Sequence, residues 1–275
     1  MMEFILSAAP RWALNHAPAL LIMVPLFLAP VLTLVPSGRI AWLTSVGATI
    51  ASLFFAVILL AQVQASPAGV VGYDVGNWPM PIGIVLRVDA LNAMILLLVA
   101  AIGVLSTIFS WPTVEAEVRK EKHALFYSAF LVCFAGLAGV AITGDAFNLF
   151  VFLEVSSLAT YVLIALGKDR RALTAALRYL ILGTVGATFY VIGLGMMYMM
   201  TGSLNMTDLA SLLPAVQNTG TIHVALAFIV VGFGIKLALF PLHVWLPNAY
   251  TFAPSAVTAF LAATATKVGI YMGMR

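Results

Sequence analysis

Apolar residues in this chain come in long uninterrupted blocks separated by short polar joints. The blocks cover residues 19–35, 40–63, 90–109, 124–142, 148–166 and 173–200, then 221–240 and 255–274. Each is close to the roughly 17 to 25 residues that an α-helix needs to cross a hydrocarbon core of about 30 Å. With no water in that core, every backbone amide must be bonded internally, so such blocks are expected to be helices; the alternating segments of a membrane barrel are absent. The pattern predicts an all-α integral membrane protein with about eight transmembrane helices, the first two forming a hairpin.

The pattern breaks at three places. Residues 64–89 interleave Gly69, Gly72, Gly76, Pro79, Pro81 and Gly83 with Tyr73, Trp78 and Ile82, which predicts an extramembrane loop of extended character. Residues 115–123 form a charged linker between the third and fourth helices. After a polar loop at 201–220, the seventh block is interrupted by Pro241 and Pro247 around Leu242, His243, Val244, Trp245 and Leu246. Proline removes a backbone donor and clashes with the preceding turn, so this span is expected to be broken, a state that persists in a membrane only against protein or a water-filled cavity. The chain divides into residues 1–123, an N-terminal three-helix region carrying the loop at 64–89, and residues 124–275, helices four to eight.

Composition sharpens the class. Hydrophobic residues make up 63% of the 275 positions and charged residues 8%, with a mean hydropathy of +1.10, which excludes a water-soluble domain. The net charge is +3, but the basic residues are scattered, so a nucleic-acid partner is not expected. Placing the joints on alternate sides collects Arg39, Arg119, Lys120, Lys122, Lys168, Arg170 and Arg171 on one side, against Arg11, Arg87 and Arg275 on the other. The positive-inside rule then puts the N-terminus outside, in a multi-pass protein of the cell (inner) membrane. The first helix, preceded by Glu3 and Arg11, is expected to be retained. The single cysteine, Cys133, lies in an apolar helix and is expected to serve packing. No Cys cluster, haem ligand pair or nucleotide motif is present, so no cofactor or metal is expected.

The chemistry lies in the few charges inside the apolar blocks. Glu154 is followed by Ser157 and Tyr161 at i+3 and i+7, a polar stripe on one helix face. Lys236 precedes Pro241 in the seventh block, and Lys267 sits in the eighth with Thr264 at i−3 and Tyr271 at i+4. Each such charge costs roughly 2.5 to 3.5 kcal/mol at the membrane centre, so these are paired or used. A lysine beside a carboxylate can take and release a proton as its partner moves, which makes Glu154 and Lys236 the first candidates. His243 has two readings, a relay titrating near neutral pH or a cap on the broken helix. Asp145 is a secondary candidate that N-capping alone also explains, together with Asn148. Arg178 is likewise either a relay or a snorkelling topology anchor.

The text around these charges resembles the proton-conducting antiporter family, which includes Mrp-type cation/proton antiporters and the antiporter-like subunits of respiratory complex I. One matching segment is Gly144-Asp145-Ala-Phe-Asn148-Leu-Phe-Val-Phe-Leu-Glu154; another is Gly234-Ile-Lys236-Leu-Ala-Leu-Phe-Pro241-Leu-His243-Val-Trp245-Leu-Pro247. Ala253-Pro254-Ser255, Thr266-Lys267-Val-Gly269-Ile-Tyr271 and the loop text Gly76-Asn-Trp78-Pro79 with Pro81-Ile-Gly83-Ile follow the same pattern. A lysine at position 267 resembles the D-type member of the Mrp group more than the largest antiporter-like subunits. The resemblance implies that Glu154 and Lys236 form a switching ion pair, that Lys267 and His243 continue a hydrated relay, that protons and sodium ions are moved, and that other subunits of an antiporter or respiratory complex are the partners. It also implies two inverted repeats, of which helices four to eight are the first. The second repeat is then expected on another chain or on a continuation of this one.

Overall fold

The computed structural model describes residues 6–7, 9–78, 80 and 82–275; Glu3, Pro79 and Pro81 lie outside the described residues. Its helices and strands are α1 (Arg11–Thr33), α2 (Gly38–Ala65), β1 (Val70–Asp74), β2 (Val85–Asp89), α3 (Ala90–Glu117), α4 (His123–Ile142), α5 (Ala146–Ala165), α6 (Arg170–Thr201), α7 (Met206–Val216), α8 (Gly220–Lys236), α9 (Trp245–Phe252) and α10 (Ser255–Met274). Seven of the described helices, α1 to α6 and α10, are long and apolar enough to cross a membrane. Neither α8 nor α9 is long enough alone, and in series they form the broken span.

Three boundaries differ from the sequence reading, each for a physical reason. The first helix starts at Arg11, eight residues before the apolar block, because Pro10 serves as its N-cap and the polar Asn15 and His16 sit in its first turns. The third runs on through Pro112 to Glu117 and takes in acidic residues expected in the linker. At 28 residues it is about 42 Å long, so its last turns extend past a 30 Å core. The loop expected at 201–220 contains α7. The Asn205 side chain caps it, accepting from Thr207 N at 2.9 Å and Asp208 N at 3.3 Å. Met206, Leu209, Leu213 and Val216 recur at helical spacing and face the core.

The loop at 64–89 folds as an antiparallel hairpin in which Val70 pairs with Asp89 and Tyr73 with Leu86. It lies at one end of the bundle, where backbone bonds tie it to two turns. Gly144 N donates to Val85 O at 2.9 Å, Ala146 N to Leu204 O at 2.9 Å and Met206 N to Gly144 O at 3.0 Å. At the opposite end Pro254 precedes α10 and offers no donor or side-chain cap, and the Glu117 carboxylate fills that role. It accepts from Ser255 N and Ser255 Oγ, both at 2.6 Å. Lys168 Nζ donates to Ala116 O beside it.

Nearly every residue of α4 is buried, and α1, α2, α3, α5 and α10 pack around it. Its Phe130 packs on Phe260 of α10 with ring centroids 4.8 Å apart. Its small residues let α5 approach closely, as expected where lipid supplies no hydrophobic drive between helices. A Cβ added at Gly136 would stand 2.6 Å from Ser156 N of α5, a backbone atom that cannot swing aside. Gly136→Ala is therefore expected to cost about 1 to 3 kcal/mol, read as a lowered unfolding midpoint in detergent, whereas Gly47→Ala, where nothing lies within 4 Å, leaves the midpoint unchanged.

Candidate ion-relay site

The site forms where α8 stops partway across the membrane. Gly220–Lys236 is 17 residues, about 26 Å, and Lys236 is the last residue of the helix. The span ends there, four residues before the end of the apolar block. Ala238 adopts a left-handed backbone with φ of 54°, a conformation a side chain disfavours, and Pro241 cannot donate to a continued helix. The carbonyls and amides at this end are satisfied locally. Leu237 N bonds Phe233 O at 2.7 Å, Leu239 N bonds Gly234 O at 2.9 Å, and Trp245 Nε1 donates to Ile235 O at 2.9 Å. Trp245 is held in turn by a flat stack on Tyr179 of α6, 3.7 Å between centroids and 2° between planes.

Lys236 faces α5. Its Nζ donates to Ser157 Oγ and lies 3.9 Å from Glu154 Oε1. That separation allows strong Coulomb attraction but is too long for a direct hydrogen bond. The side chains are 7% and 21% exposed, so neither charge has bulk water as an alternative partner. Ser157 also donates to Leu153 O at 2.6 Å, which fixes its oxygen toward the lysine. Tyr161, the third member of the stripe, is buried with its hydroxyl unpaired among the described residues, in space left open by Gly183 of α6. A cavity of about 40 Å³ beside Lys236 is lined by the polar groups of Ser156, Ser157, Thr160, Tyr179, Tyr250 and Thr266, enough room for water. This arrangement holds a lysine that can exchange a hydroxyl bond for a carboxylate a small movement away.

The other sequence candidates divide. His243 lies in the break, its ring 5.7 Å from that of Phe240 and its Nδ1 buried without a partner among the described residues. At the start of α9 its backbone carbonyl accepts from Leu246 N at 3.0 Å, and its side chain caps nothing. Lys267 is not brought to the pair. Its neighbours Thr266 and Gly269 border the cavity, but its own side chain is exposed on the outer face of α10 and donates to Ala262 O at 2.5 Å. Asp145 caps α5, accepting from Asn148 N at 2.7 Å, while burial pushes its carboxyl above the ordinary carboxylate range. Arg178 is exposed on α6, away from the pair. Trp245 and Tyr179 carry no signal in the sequence beyond their aromatic character, because the flat stack that pins the break joins residues far apart in the chain.

A bundle of membrane-spanning helices with one span broken beside a buried lysine–glutamate pair defines the class, a multi-pass membrane protein with charge held inside its helices. Residues 143–275 match the model of the NADH:quinone oxidoreductase/Mrp antiporter transmembrane family, so this part of the chain is similar to that family. The N subunit of the NADH-quinone oxidoreductase of Desulforudis audaxviator is 45% identical over 93% of this chain and 51% of its own length. The D subunit of the Na(+)/H(+) antiporter of Alkalihalophilus pseudofirmus is 34% identical over 95% of this chain and 52% of its own length. Among solved structures, the membrane-bound sulfane sulfur reductase, an archaeal respiratory membrane complex, contains a chain that superposes with a TM-score of 0.85 at 33% identity, over 92% of this chain and 51% of that one. The chain thus spans about half the length of the relatives it matches.

Trp245→Phe keeps an aromatic ring and removes the indole N–H that donates to Ile235 O. It is expected to lower the unfolding midpoint by the equivalent of about 0.5 to 1.5 kcal/mol, because a carbonyl at a helix end inside the membrane loses one of its two donors and keeps only Ala238 N. Tyr179→Phe, which keeps the stack, is expected to leave the midpoint close to wild type in the same assay.

Proposed function

We propose that this chain is a membrane subunit of a multisubunit monovalent cation/proton antiporter, the cation being sodium, and that protons pass through it by way of Glu154 and Lys236. The observation that carries this reading is the 3.9 Å pair at the end of the interrupted helix. A buried lysine that can lean toward a carboxylate or away from it changes its proton affinity as it moves. The serine, threonine and tyrosine groups around the small cavity supply hydrogen-bonding partners for water beside Lys236. His243, with an unsatisfied ring nitrogen in the break, is the next station. Lys267 faces outward and serves a continuation of the route beyond these residues, supplied by the remaining length that the relatives have. Other subunits of the complex are the partners, in the cell (inner) membrane, and the excess of basic residues at the end opposite the hairpin supports an orientation with the N-terminus and the hairpin outside.

A second reading has its own support in the similarity to the N subunit of an NADH-quinone oxidoreductase. There the same relay moves protons and electron transfer in other subunits drives it, with this chain holding no redox centre.

In inverted vesicles carrying the assembled complex, Lys236→Ala and Glu154→Gln, at unchanged expression, are each expected to slow collapse of a pH gradient on sodium addition by about tenfold or more. Full exchange by Glu154→Gln would contradict the ion-pair mechanism. A gradient that ignores sodium but forms on NADH addition would select the second reading.

A further inference from the structure

One face of α6 carries a guanidinium that neither the ion pair nor the packing uses. Arg178 is exposed between Leu173, Leu177 and Ile181, all more than half exposed, and forms no hydrogen bond or ion pair with a described residue. It lines a recess of about 210 Å³ with Arg171, Thr174 and Asn248, closed by Phe252. Thr174 and Asn248 are likewise without side-chain bonds to described residues. Arg171 sits over the Phe252 ring at 4.6 Å. It gives its Nε and Nη2 to Asp169, which leaves its Nη1 edge for another acceptor.

The depth of the recess decides what it fits. At 32 residues α6 is about 48 Å long, so centred on a 30 Å core it extends about 9 Å into each headgroup layer. Arg171 then lies among the headgroups, and Arg178, about 12 Å from the helix start, just inside the hydrocarbon boundary. Two guanidiniums, a hydroxyl and an amide converge on the level where phosphodiesters lie, beside an apolar strip that an acyl chain can follow. The recess is at the basic end of the bundle, which the charge distribution assigns to the leaflet that carries anionic lipid.

We propose that Arg178 and Arg171 bind the phosphate of one anionic phospholipid, whose acyl chains lie along Leu173, Leu177 and Ile181. Planar guanidiniums favour this ligand because they match phosphate oxygens in pairs, whereas a choline headgroup opposes them with its own positive charge. The lipid bridges α6 to Asn248 and Phe252 of α9, the second half of the broken span, so it sets how firmly α9 is held. The inference is independent of which ion the relay carries.

The test is native mass spectrometry of the full chain released from mixed micelles of equal phosphatidylglycerol and phosphatidylcholine. Wild type is expected to retain one phosphatidylglycerol with about tenfold preference, Arg178→Gln to reduce that preference to about threefold or less, and Arg178→Lys to fall between. An unchanged preference in Arg178→Gln would overturn the proposal. So would displacement of the lipid by millimolar inorganic phosphate, which would assign the recess to the free ion. A photo-crosslinker at position 178 that joined a polypeptide in native membranes would overturn it too, assigning the recess to a partner's carboxylate.

Discussion

A helix that stops inside a membrane imposes the constraint on which the rest of this structure depends. At the break the carbonyls of Phe233, Gly234 and Ile235 each need a donor, and each is met: Phe233 by Leu237 N, Gly234 by Leu239 N, and Ile235 by both Ala238 N and Trp245 Nε1. The indole reaches Ile235 only because Tyr179 supports it from α6. α6 is also the helix whose Gly183 admits the Tyr161 hydroxyl. The same interruption places Lys236 at a helix C-terminus, where the aligned peptide dipoles favour a cation, and turns it toward Ser157 and Glu154. Satisfaction of the broken backbone and placement of the charge are one problem with one solution.

Much of this was legible in the residues. Apolar block length identified the spans because lipid leaves a helix no alternative, and Pro241 and Pro247 located the break. Glu154, Ser157 and Tyr161 share a face by helical spacing alone, and Lys236 was conspicuous because charge is scarce in apolar blocks. What stayed hidden depends on tertiary geometry or on subtler local signals. The span ends at Lys236 because Ala238 turns left-handed, which no composition signal marks. α7 escaped notice because a short helix capped by Asn205 looks polar when read as a loop. Lys267 and Lys236 resemble each other in sequence, yet one is exposed on the outer face of its helix and the other is buried against a carboxylate, a difference of helix rotation. The Glu117 cap on Ser255 joins residues 138 apart in the chain, beyond the reach of any local pattern.

The burial of α4 explains why so few specific contacts are needed elsewhere. Gly136 and Gly139 bring α5 against it, and Phe126, Phe130 and Phe134 fill its faces toward the remaining spans. Glu154 is thus carried by a helix packed closely on this central post, whereas Lys236 is carried by α8, which packs mainly on α6.

The two ends of the bundle are joined in different ways. At the hairpin end, main chain meets main chain across three segments, through Val85, Gly144, Leu204 and Met206, and side chains add the Arg275–Asp89 ion pair and the bond from Arg87 to Thr207. At the other end the links are side chains, Glu117 to Ser255 and Lys168 to Ala116. Main-chain links survive almost any substitution, while side-chain links can be lost to a single one. The bundle is thus built like a hinge with its pin on one side. The stitched rim keeps main-chain links that a change of side chain does not remove, whereas the links at the opposite rim rest on the side chains of Glu117 and Lys168.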